Sequence, residues 1–221
     1  MLATLHDAHG NVAVEGLKSI VYDGASYDES DFREHAGVLP GVNLIGDGTV
    51  AERLFARPSI SVLGLDAPAV DGAANALIPR ARALVGVRMA PGQHPREVVD
   101  AITRHFEAIR PWNVDFDVRS RMVGEGYVSS TDGPAYAAAE SALECAFGRP
   151  ALLMGLGGSI PFIAAYTKAA PTAEILQFGA MEPLCRLHDI DENVDLCQLE
   201  RCVLAEALFL QSLGSEMGWE R

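Results

Sequence analysis

The chain has 221 residues, 49% hydrophobic and 21% charged, which suits one large or two small globular domains and excludes disorder as a global description. Thirty acidic residues against 17 basic ones leave a net charge of −13. That argues against binding to nucleic-acid phosphates or to an anionic membrane surface, which both need a basic face. No apolar run reaches the ~18 residues of a membrane helix. Residues 1–7, MLATLHD, show neither the basic nor the apolar region of a secretory leader, so a cytoplasmic location is expected. Cys145, Cys185, Cys197 and Cys202 include no CxxC pair and are expected to be reduced thiols, mostly buried.

In chain order, Leu2 and Leu5 share one helical face that Gly10 would stop. No N-cap precedes them, so the pattern predicts a chain that begins inside a helix, as a truncation would. Residues 11–14 alternate as a half-buried strand does. An acidic stretch over 22–50, rich in turn formers, predicts loop with one or two short helices. Residues 59–65 and 81–89 predict two antiparallel strands, with Arg82 and Arg88 on the polar side or at the edge. Pro95 opens a helix whose apolar residues Val98, Val99, Ile102, Phe106 and Ile109 keep helical spacing, and Pro111 closes it. Residues 114–118, VDFDV, predict a third strand. These elements make most of a ferredoxin-like α/β sandwich.

After residues 120–132 the pattern changes. An alanine-rich helix is predicted over 134–147, stopped by Gly148. A buried strand is predicted at 151–154, a helix from the glycine-rich turn through 165, a strand at 174–179 and a long amphipathic helix over 196–213. Strand alternating with helix implies parallel βαβ construction, so the fold class is α/β throughout.

Three features carry possible chemistry. The turn at 155–159, GLGGS, follows a strand and opens a helix, so its N–H groups suit an anion; it lacks both dinucleotide and P-loop spacing. It is either a plain tight turn or a carboxylate-binding loop. His188 stands among Asp189, Asp191, Glu192 and Asp195, where an imidazole could ligate zinc. The same acids also suit a solvated helix N-terminus. Arg88 could clamp a carboxylate with its planar fork or face water at a strand edge. His6 and His9 have no third ligand near them in sequence, and His35, His94 and His105 lie in polar contexts.

Taken together, LHDAHGNVAV at 5–14, RPSI at 57–60, NALIPRARA at 75–83, VRMAPGQ at 87–93, GGSIP at 157–161 and HDIDENVD at 188–195 resemble the dipeptidase (carnosinase-like) branch of the M20 metallopeptidases, in order and in approximate spacing. The resemblance implies a catalytic α/β domain holding two zinc ions (manganese or cobalt as alternatives) and an inserted lid or dimerisation domain. Residues 1–125 would be most of the lid, with an acidic insertion at about 20–55. Residues 126–221 would be the C-terminal βαβ part of the zinc-peptidase domain. His188 matches a metal ligand, Arg88 the arginine that binds the substrate carboxylate, Gly158 and Ser159 the loop beside that carboxylate, and Asn75 a position facing the site. The other ligands, the paired glutamates and a lid histidine belong to a missing half. Departures occur at Gly155-Leu156, at 188–192 and at Gly124-Glu125-Gly126, and these bear on the substrate. The implied activity is hydrolysis of a small peptide by a homodimer joined through the lid. One histidine is too few for a catalytic zinc, so the chain alone is expected to be inactive. An N-acyl-amino-acid deacylase and a non-catalytic dimerisation module are the alternatives.

Overall fold

The computed structural model describes residues 1–121, 124, 126–156 and 161–216. Two compact units emerge. The first comprises Met1–Asp23, Asn43–Gly126 and Leu156–Pro161; the second comprises Gly24–Val42, Tyr127–Gly155 and Phe162–Arg221.

In the first unit a short helix, α2 (Val50–Phe55), starts with a reciprocal capping box: Glu52 N–H donates to Thr49 Oγ1 at 3.2 Å and Thr49 N–H to Glu52 Oε2 at 2.7 Å. Strands β1 (Ser59–Asp66) and β2 (Arg82–Arg88) pair antiparallel, Ser59 opposite Arg88 and Asp66 opposite Arg82, with a bulge between Val62 and Gly64. Helix α3 (Pro95–Ala108) follows, with Pro95 in its first turn and His94 Nδ1 accepting from Arg96 N–H at 3.2 Å. Its buried stripe, Val98, Ala101, Ile102 and Phe106, packs with Ile60 of β1 and with Leu5 and Val14. Val85 and Val87 of β2 are half-buried against this core. The far end of the hairpin is uncovered, with Leu63 and Leu65 exposed.

Two expected strands in this unit do not form. Residues 11–14 make a single bridge, His6 to Val12, and Leu5 C=O accepts from Ala13 N–H at 2.9 Å. The expected helix around Leu2 and Leu5 is one 3-10 turn, Leu2–Thr4. Residues 114–118 keep the alternation, with Phe116 and Val118 against the core, but pair with no strand. Arg110 explains part of this. Its guanidinium takes Val114 C=O at 2.7 Å and Asp115 Oδ1 at 2.6 Å, groups that a ladder or water would otherwise satisfy.

The second unit holds α1 (Glu29–His35), α4 (Pro134–Phe147), α5 (Pro161–Ala169) and α6 (Leu196–Glu216). Asp28 caps α1 by accepting from Ser30 N–H at 2.7 Å. Gly148 ends α4 in the left-handed conformation, φ 69°, that glycine adopts without a Cβ penalty. Helix α4 packs on α6, and the buried residues of the two helices are mostly small: Ala138, Ala139 and Ala142 on α4, Cys202 and Ala205 on α6.

The strands expected at 151–154 and 174–179 are absent; both segments are irregular. Instead of a ladder partner, Ile175 C=O receives the Tyr136 hydroxyl at 2.7 Å and the Ser129 hydroxyl at 3.1 Å. The Glu174 carboxylate accepts from Ala135 N–H at 3.3 Å and Tyr136 N–H at 3.0 Å, so it caps α4 from a distant part of the chain. This carboxylate lies where a Gly133 side chain would be: a Cβ there would fall 2.1 Å from Glu174 Cδ. Gly133→Ala is expected to cost about 1–2 kcal/mol by evicting the cap. Glu174→Ala should cost about the same, and the double variant little more than either alone, as a double-mutant cycle in denaturant would show.

Candidate functional site

Arg88 stands at the inner end of β2, opposite Ser59, exposed and without an ion-pair partner among the described residues. The segment that follows it is firmly anchored. Ala90 is buried, and Gln93, 3% exposed, has the one buried polar side chain among the described residues. Its Nε2 donates to Gly16 C=O at 2.6 Å and its Oε1 accepts from Lys18 N–H at 3.1 Å. The turn after Arg88 is thereby tied to the chain that leaves the N-terminal loop. Sequence reasoning quoted Gln93 within a motif and gave it no role. A glutamine between a Pro-Gly turn and a His-Pro helix start was the available signal.

Asn75 is exposed in the loop over 67–81 that joins the two strands. It and Arg88 lie toward opposite ends of the hairpin, separated by about 20 Å of strand. That loop end carries an open groove of about 620 Å³ lined by Asp66, Pro68, Ile78, Pro79, Arg80 and Arg82. Arg82 is already neutralised there by Asp66, 2.5 Å away. Gly158 and Ser159 lie outside the described residues.

His188 belongs to the second unit, exposed in a loop held by its own polar groups. Asp189 N–H donates to Arg186 C=O at 2.9 Å, Asn193 N–H to Cys185 C=O at 3.0 Å, and Arg186 faces Asp191 at 3.7 Å. Asp195 accepts from Gln198 N–H at 2.9 Å at the start of α6. Asp189, Asp191 and Asp195 therefore serve the loop and the helix end. Arg186, His188 and Asp191 all have positive φ, 53°, 66° and 62°. Three such residues within six cost of order 1 kcal/mol or more each, and they persist only where the surroundings hold them.

Among the described residues no three of His, Cys, Asp and Glu stand close enough to hold a metal ion. The donors at His188 thus amount to one imidazole, which does not fit a zinc site by itself. Of the thiols, Cys185 and Cys202 are buried and Cys145 and Cys197 exposed; burial pushes the Cys202 thiol up, away from thiolate.

A separate network ties the N-terminal loop to residues 46–47. Asp7 Oδ1 accepts from His9 and Asn11 N–H, and Asn11 Nδ2 donates to Asp7 and to Asp47 at 3.1 and 2.8 Å. The Asn11 side-chain bond is the main reason the Asp7 carboxyl lies below its ordinary 3.8. The Ser30 side chain does the same for Asp28, and the Thr49 backbone N–H, followed by its hydroxyl, for Glu52. Each carboxyl holds its proton more weakly folded than unfolded. Their contribution is complete above about pH 4.5 and disappears as pH falls through the lower folded values. Stability should therefore decline on the acid side of pH 4, less steeply in Asn11→Ala, as followed by circular dichroism.

No family model matches the sequence. A curated relative does: the cysteinylglycine-S-conjugate dipeptidase of Corynebacterium striatum is 33% identical over 218 residues, covering 97% of this chain and 48% of that protein. The chain is similar to that dipeptidase along nearly its whole length. Solved structures agree on the α/β fold. The dipeptidase Dug1p from Saccharomyces cerevisiae superposes with a TM-score of 0.75 at 19% identity, over 95% of this chain and 46% of that one. Human carnosine dipeptidase 1 gives 0.70 at 22% identity, over 95% and 47%. The M20 family metallo-carboxypeptidase Sso-CP2 from Sulfolobus solfataricus gives 0.77 at 15%, over 95% and 50%. The chain spans about half the length of the relatives it matches.

Proposed function

We propose that the chain is the C-terminal part of an M20 dipeptidase that, as a whole, hydrolyses dipeptides or related amides. The observation that carries this reading is 33% identity to a dipeptidase over 97% of the chain. Arg88 supports it: an exposed guanidinium on an anchored strand end can grip a peptide's terminal carboxylate in two parallel hydrogen bonds. Gly158 and Ser159 are the further substrate contacts of this proposal; Asn75, about 20 Å of strand from Arg88, is too distant to touch the same dipeptide within one chain. His188 is the chain's single imidazole donor toward zinc (two ions in the whole enzyme), and the strain of its loop fits a site held in place for function. The remaining donors come from outside this chain. The proposal includes a cytoplasmic homodimer joined through residues 1–125, which serve as the lid, with residues 126–221 in the catalytic domain.

The test is hydrolysis by the complete protein, this chain joined to the half it lacks, of cysteinylglycine conjugates and other dipeptides against N-acyl amino acids. A dipeptide preference is expected; an acyl-amino-acid preference would replace this reading with the deacylase. The 221-residue chain alone should hydrolyse neither. In the complete protein His188→Asn should lower kcat at least about 100-fold while leaving Tm unchanged, because asparagine tolerates the left-handed backbone but lacks the imidazole. Loss of Tm together with activity would show a structural histidine instead.

A further inference from the structure

The register of the hairpin places a second hydrogen-bond donor beside Arg88. Ile60 is buried in the core of the first unit, and its partner Val87, like Val85, packs against the same core. Side chains alternate along a strand, so Ser59, Ser61, Gly86 and Arg88 share the opposite, outer face. Residues directly across an antiparallel pair bring their Cβ atoms to about 4.5–5.5 Å, and Ser59 stands directly across from Arg88. Ser61 stands across from Gly86, one diagonal step away from Arg88. On this face the polar end stops at Leu63, the residue left over by the bulge between Val62 and Gly64. Its Cδ1 lies 2.8 Å from where a Gly86 Cβ would be, so the glycine lets Leu63 lean over the strand two residues before Arg88. Arg88 and Ser59 thus form a polar corner on a face that turns apolar beside them.

We propose that Ser59 is a substrate-binding residue whose hydroxyl donates to the terminal carboxylate gripped by Arg88. A carboxylate offers about four lone-pair sites, and a guanidinium fork fills two of them. A hydroxyl rooted directly across the strand pair fills a third. Among the described residues the Ser59 hydroxyl has no other partner. Both donors are held by their own backbones, which lowers the cost of ordering them around a ligand. Ser59 lies between two buried residues: Ala56, whose N–H donates to Glu52 C=O at 3.0 Å at the end of α2, and Ile60. Arg88 leads into buried Ala90 and the turn that Gln93 ties to Gly16. The corner selects peptides with a free C-terminal carboxylate over those ending in an amide, whose oxygen carries no full charge. The inference rests on the reading of Arg88 as the carboxylate-binding arginine.

Titration calorimetry on the complete protein, this chain joined to the half it lacks, tests it. The probe is a dipeptide whose scissile amide is reduced to CH2–NH, so that binding is read apart from hydrolysis. Ser59→Ala should weaken binding of the free carboxylate about 10-fold and of its C-terminal amide about 3-fold at most, since the charge-assisted bond is the stronger. Ser59→Thr keeps the hydroxyl and suits a strand, and should bind within about 2-fold of the parent. Ser61→Ala, on the same face but diagonal to Arg88, should leave binding unchanged. In an Arg88→Ala background, Ser59→Ala should add no more than about 3-fold, because both donors serve one carboxylate. Unchanged binding in Ser59→Ala would overturn the proposal. So would equal weakening of carboxylate and amide, which marks a structural serine, or an undiminished effect without Arg88. If Arg88→Ala itself leaves the carboxylate bound as before, the reading of Arg88 fails and takes this inference with it. Ser59-dependent binding without hydrolysis of the unreduced dipeptide leaves the role of Ser59 standing and removes the dipeptidase reading.

Discussion

Replacing Leu5 with alanine is expected to lower the stability of the first unit by about 3–4 kcal/mol, within the usual range for a leucine truncated in a close-packed core. Leu5 is 1% exposed, the one large side chain among the described residues buried so completely. It comes from the N-terminal turn and sits in the cluster of Val14, Ile60, Val98, Ile102 and Phe106, so it joins the turn to both the hairpin and α3. Its backbone is also committed: its N–H reaches Leu2 C=O at 3.2 Å and its C=O accepts from Ala13. Collapse around a truncated side chain is therefore restricted, which favours the upper part of the range. Leu2→Ala, removing a half-buried neighbour, should cost about 1 kcal/mol or less. Denaturant unfolding of the two variants measures both; equal effects would mean that the N-terminal turn is peripheral to the core.

Gln93→Leu is expected to cost about 2 kcal/mol although it keeps the volume nearly constant. The substitution leaves Gly16 C=O and Lys18 N–H without the partners they now have at 2.6 and 3.1 Å. Both bonds are only part-buried and Gly16 and Lys18 are themselves exposed, so water can reach the groups left behind and each lost bond costs about 1 kcal/mol. Gln93→Glu separates hydrogen bonding from shape. An ionised glutamate still accepts from Lys18 but opposes the Gly16 carbonyl with a second oxygen. A protonated one can donate to it. The Glu variant should therefore regain stability, relative to its parent, as pH is lowered toward the carboxyl's folded value, the reverse of the trend for Asp7 and Glu52. Thermal unfolding at several pH values shows whether that reversal occurs. Because Gln93 anchors the turn that follows Arg88, the Leu variant should also loosen the strand end that offers the guanidinium, seen as faster amide exchange at 88–92.

Local sequence information was enough wherever an element is set by its own residues. Pro95 after His94, with the 3–4 spacing from Val98 to Phe106, determines α3 because cap, first turn and buried stripe lie within one stretch of chain. Gly148 ends α4 where expected, since the left-handed cap is a property of that residue. The two antiparallel strands were legible from alternation. Alternation at 114–118 and the apolar segments at 151–154 and 174–179 predicted strands that do not form. A strand exists only when a second chain segment supplies hydrogen bonds, and periodicity says which face is apolar without saying who pairs with it. At 174–179 the Tyr136 and Ser129 hydroxyls and the helix end of α4 take the groups a neighbouring strand would have used.

The same division runs through the candidate site. Arg88 and His188 were singled out from residue type and local pattern. Which acids near His188 are free to assist it was decided by the folded loop, where Asp191 faces Arg186 and Asp195 caps α6. Gln93 and Glu174 act on partners 77 and 39 residues away, so no window of sequence displays them. By itself the sequence determined the elements whose caps, turns and stripes are local, and the family they resemble. Only the tertiary structure decided which polar groups meet across the chain and which apolar faces remain open, because burial and hydrogen-bond pairing belong to two surfaces at once.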